Sequence, residues 1–454
     1  PVAEASLYFS NRRLNLRTVI SDYFWGGLKL IKRIICVIIA ATIIGSSFLL
    51  FADAHDETAG NKYPIIFVHG LNGWGDDMPI SEILPYWGAD SGKITDYLAS
   101  ENIESYSLSV GAFSSAWDRA CELYAQLTRT TVDYGKAHSE KHSHSRYGKS
   151  YFEAVVPDWG TITENGKIQK IHLVGHSFGG ETIRLLTHLL ADGSEEEINQ
   201  TSVNEISPLF TGGKKDFVAS VTTIASPHNS STLSYTITDF YLYELYYAII
   251  MSISVVHGNT PLINFFDPYL EQFGISSPNG KPGSFKQISN GIKTFVEGTD
   301  NATYDLMPKG SKELNELIGV EDNVYYFSYA YSTTKDVSKS DKMNLDVPKM
   351  KTNPILRMFS WSMSLNSHFI KKDDFNAQKG ENWGSNDGLV NTRSELYPDG
   401  DPWTDFDAGN IRPGLWNVMP IRSGDHGQAI GLFEDEETTK AFYKELSQML
   451  LSLS

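Results

Sequence analysis

Four short apolar runs punctuate the chain, each ending in a glycine or a polar loop: "YPIIFVHG" (63–70), "IQKIHLVGHS" (168–177), "FVASVTTIASPH" (217–228) and "NVYYFSYAYS" (323–332). Runs of this length, with no polar alternation, predict strands buried on both faces. Between and after them the apolar spacing changes to that of a helix. "ETIRLLTHLL" (181–190) has helical periodicity and stops at "ADG", and "TTKAFYKELSQMLLSL" (438–453) is an amphipathic helix. Strands alternating with helices predict an α/β fold, with a mostly parallel sheet covered on both sides. No internal repeat interrupts the pattern.

Two long segments do not fit the alternation. Residues 112–150 are rich in His, Ser, Tyr and charged groups, and residues 230–300 begin with the aromatic stretch "DFYLYELYYAIIMSISVV" (239–256). Both read as insertions. The aromatic stretch is too short and too polar at its start to predict a membrane span. It suits either a buried helix or an amphipathic lid over an apolar site.

A further apolar run, Ile34 to Phe51, follows the basic residues Lys29, Lys32 and Arg33 and ends in "ADA" (52–54). Basic flank, apolar run and small-residue exit predict a secretory signal peptide cleaved after Ala54, so residues 1–54 are set apart from a domain at 55–454. The alternative is an uncleaved anchor through residues 34–51.

Composition narrows the function classes. The 454 residues carry a formal net charge of −17, which repels phosphate backbones and argues against a nucleic-acid partner. Two cysteines, Cys36 and Cys121, exclude a disulfide framework.

The chemistry concentrates around "GHSFGG" (175–180). This is G-x-S-x-G between an apolar strand and a helix, the context in which a tight elbow lifts a serine hydroxyl out of the sheet. Ser177 is the candidate nucleophile. It needs a base and an acid, in the chain order Ser, acid, His. Downstream loop histidines are His228, His257, His368 and His426. His426 in "RSGDHGQAI" lies shortly before the terminal helix, and His228 in "SPHNS" is its main rival. Asp387 in "GSNDGLVN" is the candidate acid, though an Asp-Gly turn would look the same. Order and spacing favour the Asp387–His426 pair. The loop "HGLNGWG" (69–75) and the residue after the nucleophile are where two oxyanion-binding N–H groups are expected, from Leu71 and Phe178.

Longer matches go beyond any hydrolase motif: "SVGAFSSAWDRACELYAQL", "TVDYGKAHSEKHSHSRYGKSY", "HSFGGETIRLL", "SPLFTGG", "SVTTIASPH" and "NDGLVNT". Through these the chain resembles the family I.5 bacterial lipases, the secreted lipases of thermophilic bacilli and their staphylococcal relatives. The resemblance implies an α/β-hydrolase fold, hydrolysis of triacylglycerols and simpler esters at an oil–water interface, and a triad on Ser177, Asp387 and His426. It puts the oxyanion donors on Leu71 and Phe178 and a lid near 236–256. It also implies a structural zinc on Asp118, His138, His144 and Asp300. From the residues alone, His138, His142 and His144 are not distinguishable as ligands. Cys121 is a rival ligand, although burial as a small apolar residue suits it better. One departure concerns calcium. The family holds it with acids after the catalytic histidine, where this chain has Gly427, Gln428 and Phe433, with Glu434 and Asp435 just beyond. A lost carboxylate predicts that calcium binding is weak or absent.

Overall fold

The computed structural model describes residues 60–163, 166–236, 267–275, 285–337, 346–370 and 381–453. All lie in one compact unit that begins at Ala59. The expected signal segment at 1–54 and almost all of the expected lid at 236–256 fall outside the described residues.

Among the described residues the core is a sheet of seven strands: β1 (Ile65–Val68), β2 (Ser105–Leu108), β3 (Ile171–His176), β4 (Val218–Ile224), β5 (Tyr325–Tyr329), β6 (Trp403–Asp405) and β7 (Trp416–Val418). Their spatial order is β6-β7-β5-β4-β3-β1-β2, and every neighbouring pair is parallel. The four apolar runs are the middle of this sheet, β1, β3, β4 and β5. Each is covered on both faces, which is why it reads as a run and not an alternation. Side chains still alternate between faces: Ile66, Val68 and Leu173 enter one core, while Ile65, Phe67 and Val174 enter the other.

Three strands have no strong sequence signal. β2, β6 and β7 are three or four residues long, and β2 and β6 carry partly exposed or exposed positions. An edge strand buries too little to show as an apolar run.

Five helices matter for the site: α1 (Ala116–Thr128), α2 (Lys136–His142), α3 (Gly179–Ala191), α4 (Pro354–Asn366) and α5 (Glu436–Leu451). Within the expected insertion at 112–150, α1 forms part of the core. Nearly all its residues are buried, and Ala120, Leu123 and Leu127 share a core with β1 and β3. Only the hairpin and short helix after it, over residues 131–150, stand as an addition. α5 begins at an Asp435 cap and packs Phe442, Tyr443, Leu446 and Leu450 against the other face of the sheet. No helix among the described residues is long and apolar enough to cross a membrane.

Candidate active site and metal centre

β3 ends at His176 and α3 starts at Gly179, leaving Ser177 at the turn with φ of +53°. That left-handed conformation is costly for a residue with a side chain and marks a position held by its surroundings. The turn is tight enough that its glycines are obligatory. A Cβ on Gly175 would lie 2.5 Å from the Gly179 carbonyl carbon, and one on Gly179 would lie 2.2 Å from the Val68 oxygen. Ser177 N–H donates to the Ile224 carbonyl at 2.9 Å, which ties the elbow to the neighbouring strand.

Asp387 and His426, 39 residues apart in the chain, meet in the fold: His426 Nδ1 lies 2.5 Å from Asp387 Oδ2. The other carboxylate oxygen of Asp387 accepts the N–H groups of Leu389 and Val390 at 2.8 and 2.7 Å. These bonds hold the carboxylate in place and leave Oδ2 turned to the imidazole. Ser177 and His426 both line one cavity of about 720 Å³, whose walls include Phe113, Leu233, Leu306 and Leu356. The rival His228 is elsewhere. It is buried under α3, with Nε2 against Thr223 Oγ1 at 3.0 Å, and burial and the Arg184 charge hold it well below its ordinary value. His368 sits exposed after α4 and is not among the cavity residues, and His257 lies outside the described residues.

Leu71 also lines the cavity. No acceptor among the described residues takes up the N–H of Leu71 or of Phe178, so both donors are available. Two features hold the loop bearing Leu71, and neither has a sequence motif of its own. Arg119 of α1 is fully buried and spreads its guanidinium over Gly111 O at 2.9 Å, His69 O and Thr182 Oγ1 at 2.8 Å. The planar fork lets one residue reach all three acceptors. The second is a chain of hydrogen bonds. Gly70 N–H donates to Tyr86 Oη at 2.8 Å, Tyr86 meets His176 Nδ1 at 2.7 Å, and His176 Nε2 meets the His426 carbonyl at 3.2 Å. Burial, with the nearby His426, holds His176 well below its ordinary value, so it is neutral. A neutral ring accepting from Tyr86 and donating to His426 satisfies the whole chain.

Asp118, His138, His144 and Asp300 converge, with one ligand atom from each within 4.8 Å of the others. Asp118 opens α1, His138 is on α2, His144 follows it, and Asp300 comes from the loop before Ala302. His138 Nε2 is 3.3 Å from Asp118 Oδ1 and 3.2 Å from Asp300 Oδ1, and His144 Nε2 is 3.1 Å from Asp300 Oδ2. Asp118 Oδ1, His138 Nε2, His144 Nε2 and Asp300 Oδ2 are all buried without a hydrogen-bond partner. One orphaned atom per residue, all aimed at a common point, is what a bound cation leaves behind when only protein is considered. His144 Nδ1 lies 2.9 Å from the Ser145 carbonyl, and donation there leaves Nε2 turned inward with its lone pair. Burial pushes the His138 imidazole down, but the Asp300 and Asp118 carboxylates outweigh it and raise it to about 10. A divalent cation would replace that proton. His142 packs beside His138 outside the cluster. Cys121 is buried and lies outside it too, its thiol pushed up by burial.

Beyond His426, Gln428 Nε2 donates to Glu434 Oε2 at 3.1 Å, and Asp435 caps α5 through the Thr438 N–H at 2.8 Å. Both acids that could replace the missing calcium ligands therefore have protein partners.

Residues 61–454 match the family described as "Lipase-like, C-terminal domain". Lipase 2 of Staphylococcus aureus is 37% identical over 380 residues, covering 82% of this chain and 51% of that protein. Lipase 1 of the same species is 35% identical over 393 residues, covering 85% and 53%. The chain thus spans about half the length of these relatives. Among solved structures, the Staphylococcus hyicus lipase superposes with a TM-score of 0.72 at 29% identity, covering 88% of this chain and 98% of that one. EstA from Clostridium botulinum gives 0.70 at 34% identity, covering 88% and 90%. Lipase 1 from Pelosinus fermentans gives 0.69 at 34%, covering 87% and 100%. The fold is that of the α/β-hydrolase lipases.

Proposed function

The chain belongs to the lipase-like family, and on that footing we propose that it is a serine carboxylic-ester hydrolase of the triacylglycerol lipase type. The observation that carries this reading is the Asp387–His426 pair at 2.5 Å, with His426 and Ser177 on one apolar cavity. With Nδ1 engaged by Asp387, Nε2 of His426 is the nitrogen free to act. It takes the proton from Ser177 Oγ as the oxygen bonds to the ester carbonyl carbon. The carbonyl oxygen becomes an oxyanion held by the N–H groups of Leu71 and Phe178. The tetrahedral species collapses, the ester C–O bond breaks, and the alcohol leaves with the proton from His426. Water, deprotonated by His426, then attacks the acyl-serine, and Ser177 departs with the proton as the acid is released. Asp387 holds the imidazole by its Nδ1 and supports the imidazolium that forms.

Asp118, His138, His144 and Asp300 would hold a zinc ion. With two imidazoles and two carboxylates as ligands, such a metal would serve a structural role, tying α1 and α2 to the loop at Asp300. The Gln428–Glu434 bond and the Asp435 cap support weak or absent calcium binding, and titration calorimetry showing micromolar Ca²⁺ affinity would overturn that part. The basic and apolar segment before Ala54 supports export to the cell exterior.

The test is Ser177→Ala. The variant is expected to keep its circular dichroism and melting temperature and to lose nearly all turnover of p-nitrophenyl esters, together with covalent labelling by a fluorophosphonate. Retained turnover would refute the assignment.

A further inference from the structure

Beside Asp387 lies a second carboxyl that the triad does not use. Glu395 stands eight residues after Asp387, on the short helix Thr392–Leu396. Both side chains are fully buried. The short helix is docked on the end of β5. Thr392 Oγ1 donates to the Tyr331 carbonyl at 2.8 Å, Glu395 Oε2 accepts the Tyr331 N–H at 2.6 Å, and Ser328 Oγ donates to the Leu396 carbonyl. The other oxygen of Glu395, Oε1, is buried with no hydrogen-bond partner. The carboxyls of Glu395 and Asp387 are within hydrogen-bonding reach of each other.

Two carboxyls buried side by side cannot both carry full charge, so the pair holds a proton. The donors around them decide where it sits. Asp387 has three: the N–H groups of Leu389 and Val390, and His426 Nδ1. Glu395 has one, the Tyr331 N–H. Each donor stabilises negative charge, so the proton belongs on Glu395. Its surroundings agree. Burial, and after it the Asp387 charge, push the Glu395 carboxyl well above its ordinary value, and no basic side chain opposes them. Arg393, on the same short helix, donates instead to Glu381 and Asp399, both at 2.8 Å, and Arg422 engages the Tyr331 side chain. A protonated Oε1 becomes a donor, and Asp387 is the acceptor within its reach.

We propose that Glu395 is a positioning residue, a neutral carboxylic acid whose Oε1–H donates to Asp387 and moors the Asp387 loop to the end of β5. This rests on the hydrolase reading above, in which Asp387 holds His426. Glu395 acts through Asp387 and not on the ester.

Glu395→Gln is the test, because a neutral amide keeps the pattern: its oxygen accepts from Tyr331 and its NH2 donates to Asp387. Turnover of p-nitrophenyl butyrate should stay within about threefold of the parent, and the acid limb of the pH profile of kcat/KM should not move. If Glu395 were ionised, the same change would delete a negative charge near His426 and shift that limb to lower pH by about one unit, which overturns the proposal. Infrared difference spectra, parent minus Glu395→Gln at neutral pH, should contain the C=O band of a protonated carboxyl. A carboxylate band in its place also overturns it. Glu395→Leu removes the donor. Its kcat should fall by roughly 10- to 100-fold with little change in KM. Its acid limb should move to higher pH, because no O–H shares the Asp387 charge with the imidazolium. Parental kcat and pH profile in Glu395→Leu overturn the proposal. Should Glu395→Leu fail to fold, the Glu395→Gln profile and the infrared band decide. A parent protein that hydrolyses no ester sinks the hydrolase reading alone, since the infrared band reports the Glu395 proton without turnover.

Discussion

Arg119 Nε donates to Thr182 Oγ1 at 2.8 Å, joining the helix that carries Asp118 to the helix that starts behind Ser177. The same guanidinium grips the carbonyls of Gly111 and His69. Candidate nucleophile, candidate oxyanion loop and metal cluster thus share one buried cation.

Arg119→Lys tests this clamp. An ammonium has no planar fork and cannot reach three acceptors at once. The loop bearing Leu71 should shift by a fraction of an ångström, so kcat on p-nitrophenyl butyrate is expected to fall by roughly 10- to 100-fold with little change in KM. A slower fluorophosphonate labelling rate would accompany it. An unchanged kcat would show that the loop holds its shape without the guanidinium.

Asp387→Asn isolates the acid. The Asn carbonyl can still accept from Leu389 and Val390, so the fold should persist. The amide would donate to His426 Nδ1 and leave the proton on Nε2, the wrong nitrogen for a base. A loss in kcat on the order of 10⁴-fold is expected from steady-state kinetics.

Metal content can be read directly. Elemental analysis of purified protein is expected to find one zinc per chain, and His138→Ala should reduce it to background. Treatment with a chelator should lower the melting temperature by several degrees, and added zinc should restore it. The variant should melt low and ignore the chelator.

Glu181 gives a pH signature of stability. Both its carboxylate oxygens are buried without a hydrogen-bond partner, and burial, opposed by Arg184, raises it from 4.5 to about 7. The folded state therefore keeps a proton that the unfolded chain releases. Stability from this group is full below about 4.5 and is lost as pH rises to about 7, a difference on the order of 3 kcal/mol. Glu181→Gln keeps the shape and stays neutral. Its advantage over wild type in urea unfolding should grow from about pH 5 to pH 8 and then level off.

Much of the architecture could be read from local chemistry. The apolar runs at 65–68, 171–176, 218–224 and 325–329 are continuous because both faces of a parallel sheet are covered, and that demand is written into every residue of the run. The elbow at Ser177 was legible for the same kind of reason, since Gly175 and Gly179 answer a steric need within a few residues. The chain order of Ser177, Asp387 and His426 allowed a triad but left His228 in play. The fold separates the two, burying His228 beneath α3 and bringing His426 Nδ1 to 2.5 Å from Asp387 Oδ2. The choice among His138, His142 and His144 was likewise closed to periodicity, because solvated and convergent histidines look alike until Asp118 and Asp300 arrive from 118 and 300. The positioning roles of Arg119, Tyr86 and His176 were not legible, since their partners are mostly backbone carbonyls and N–H groups that any sequence supplies. Sequence alone determined which segments are buried and which residue types could carry out acyl transfer. Tertiary structure decided which of them meet, because contacts between distant residues depend on closing the loops between them, and no local pattern records that.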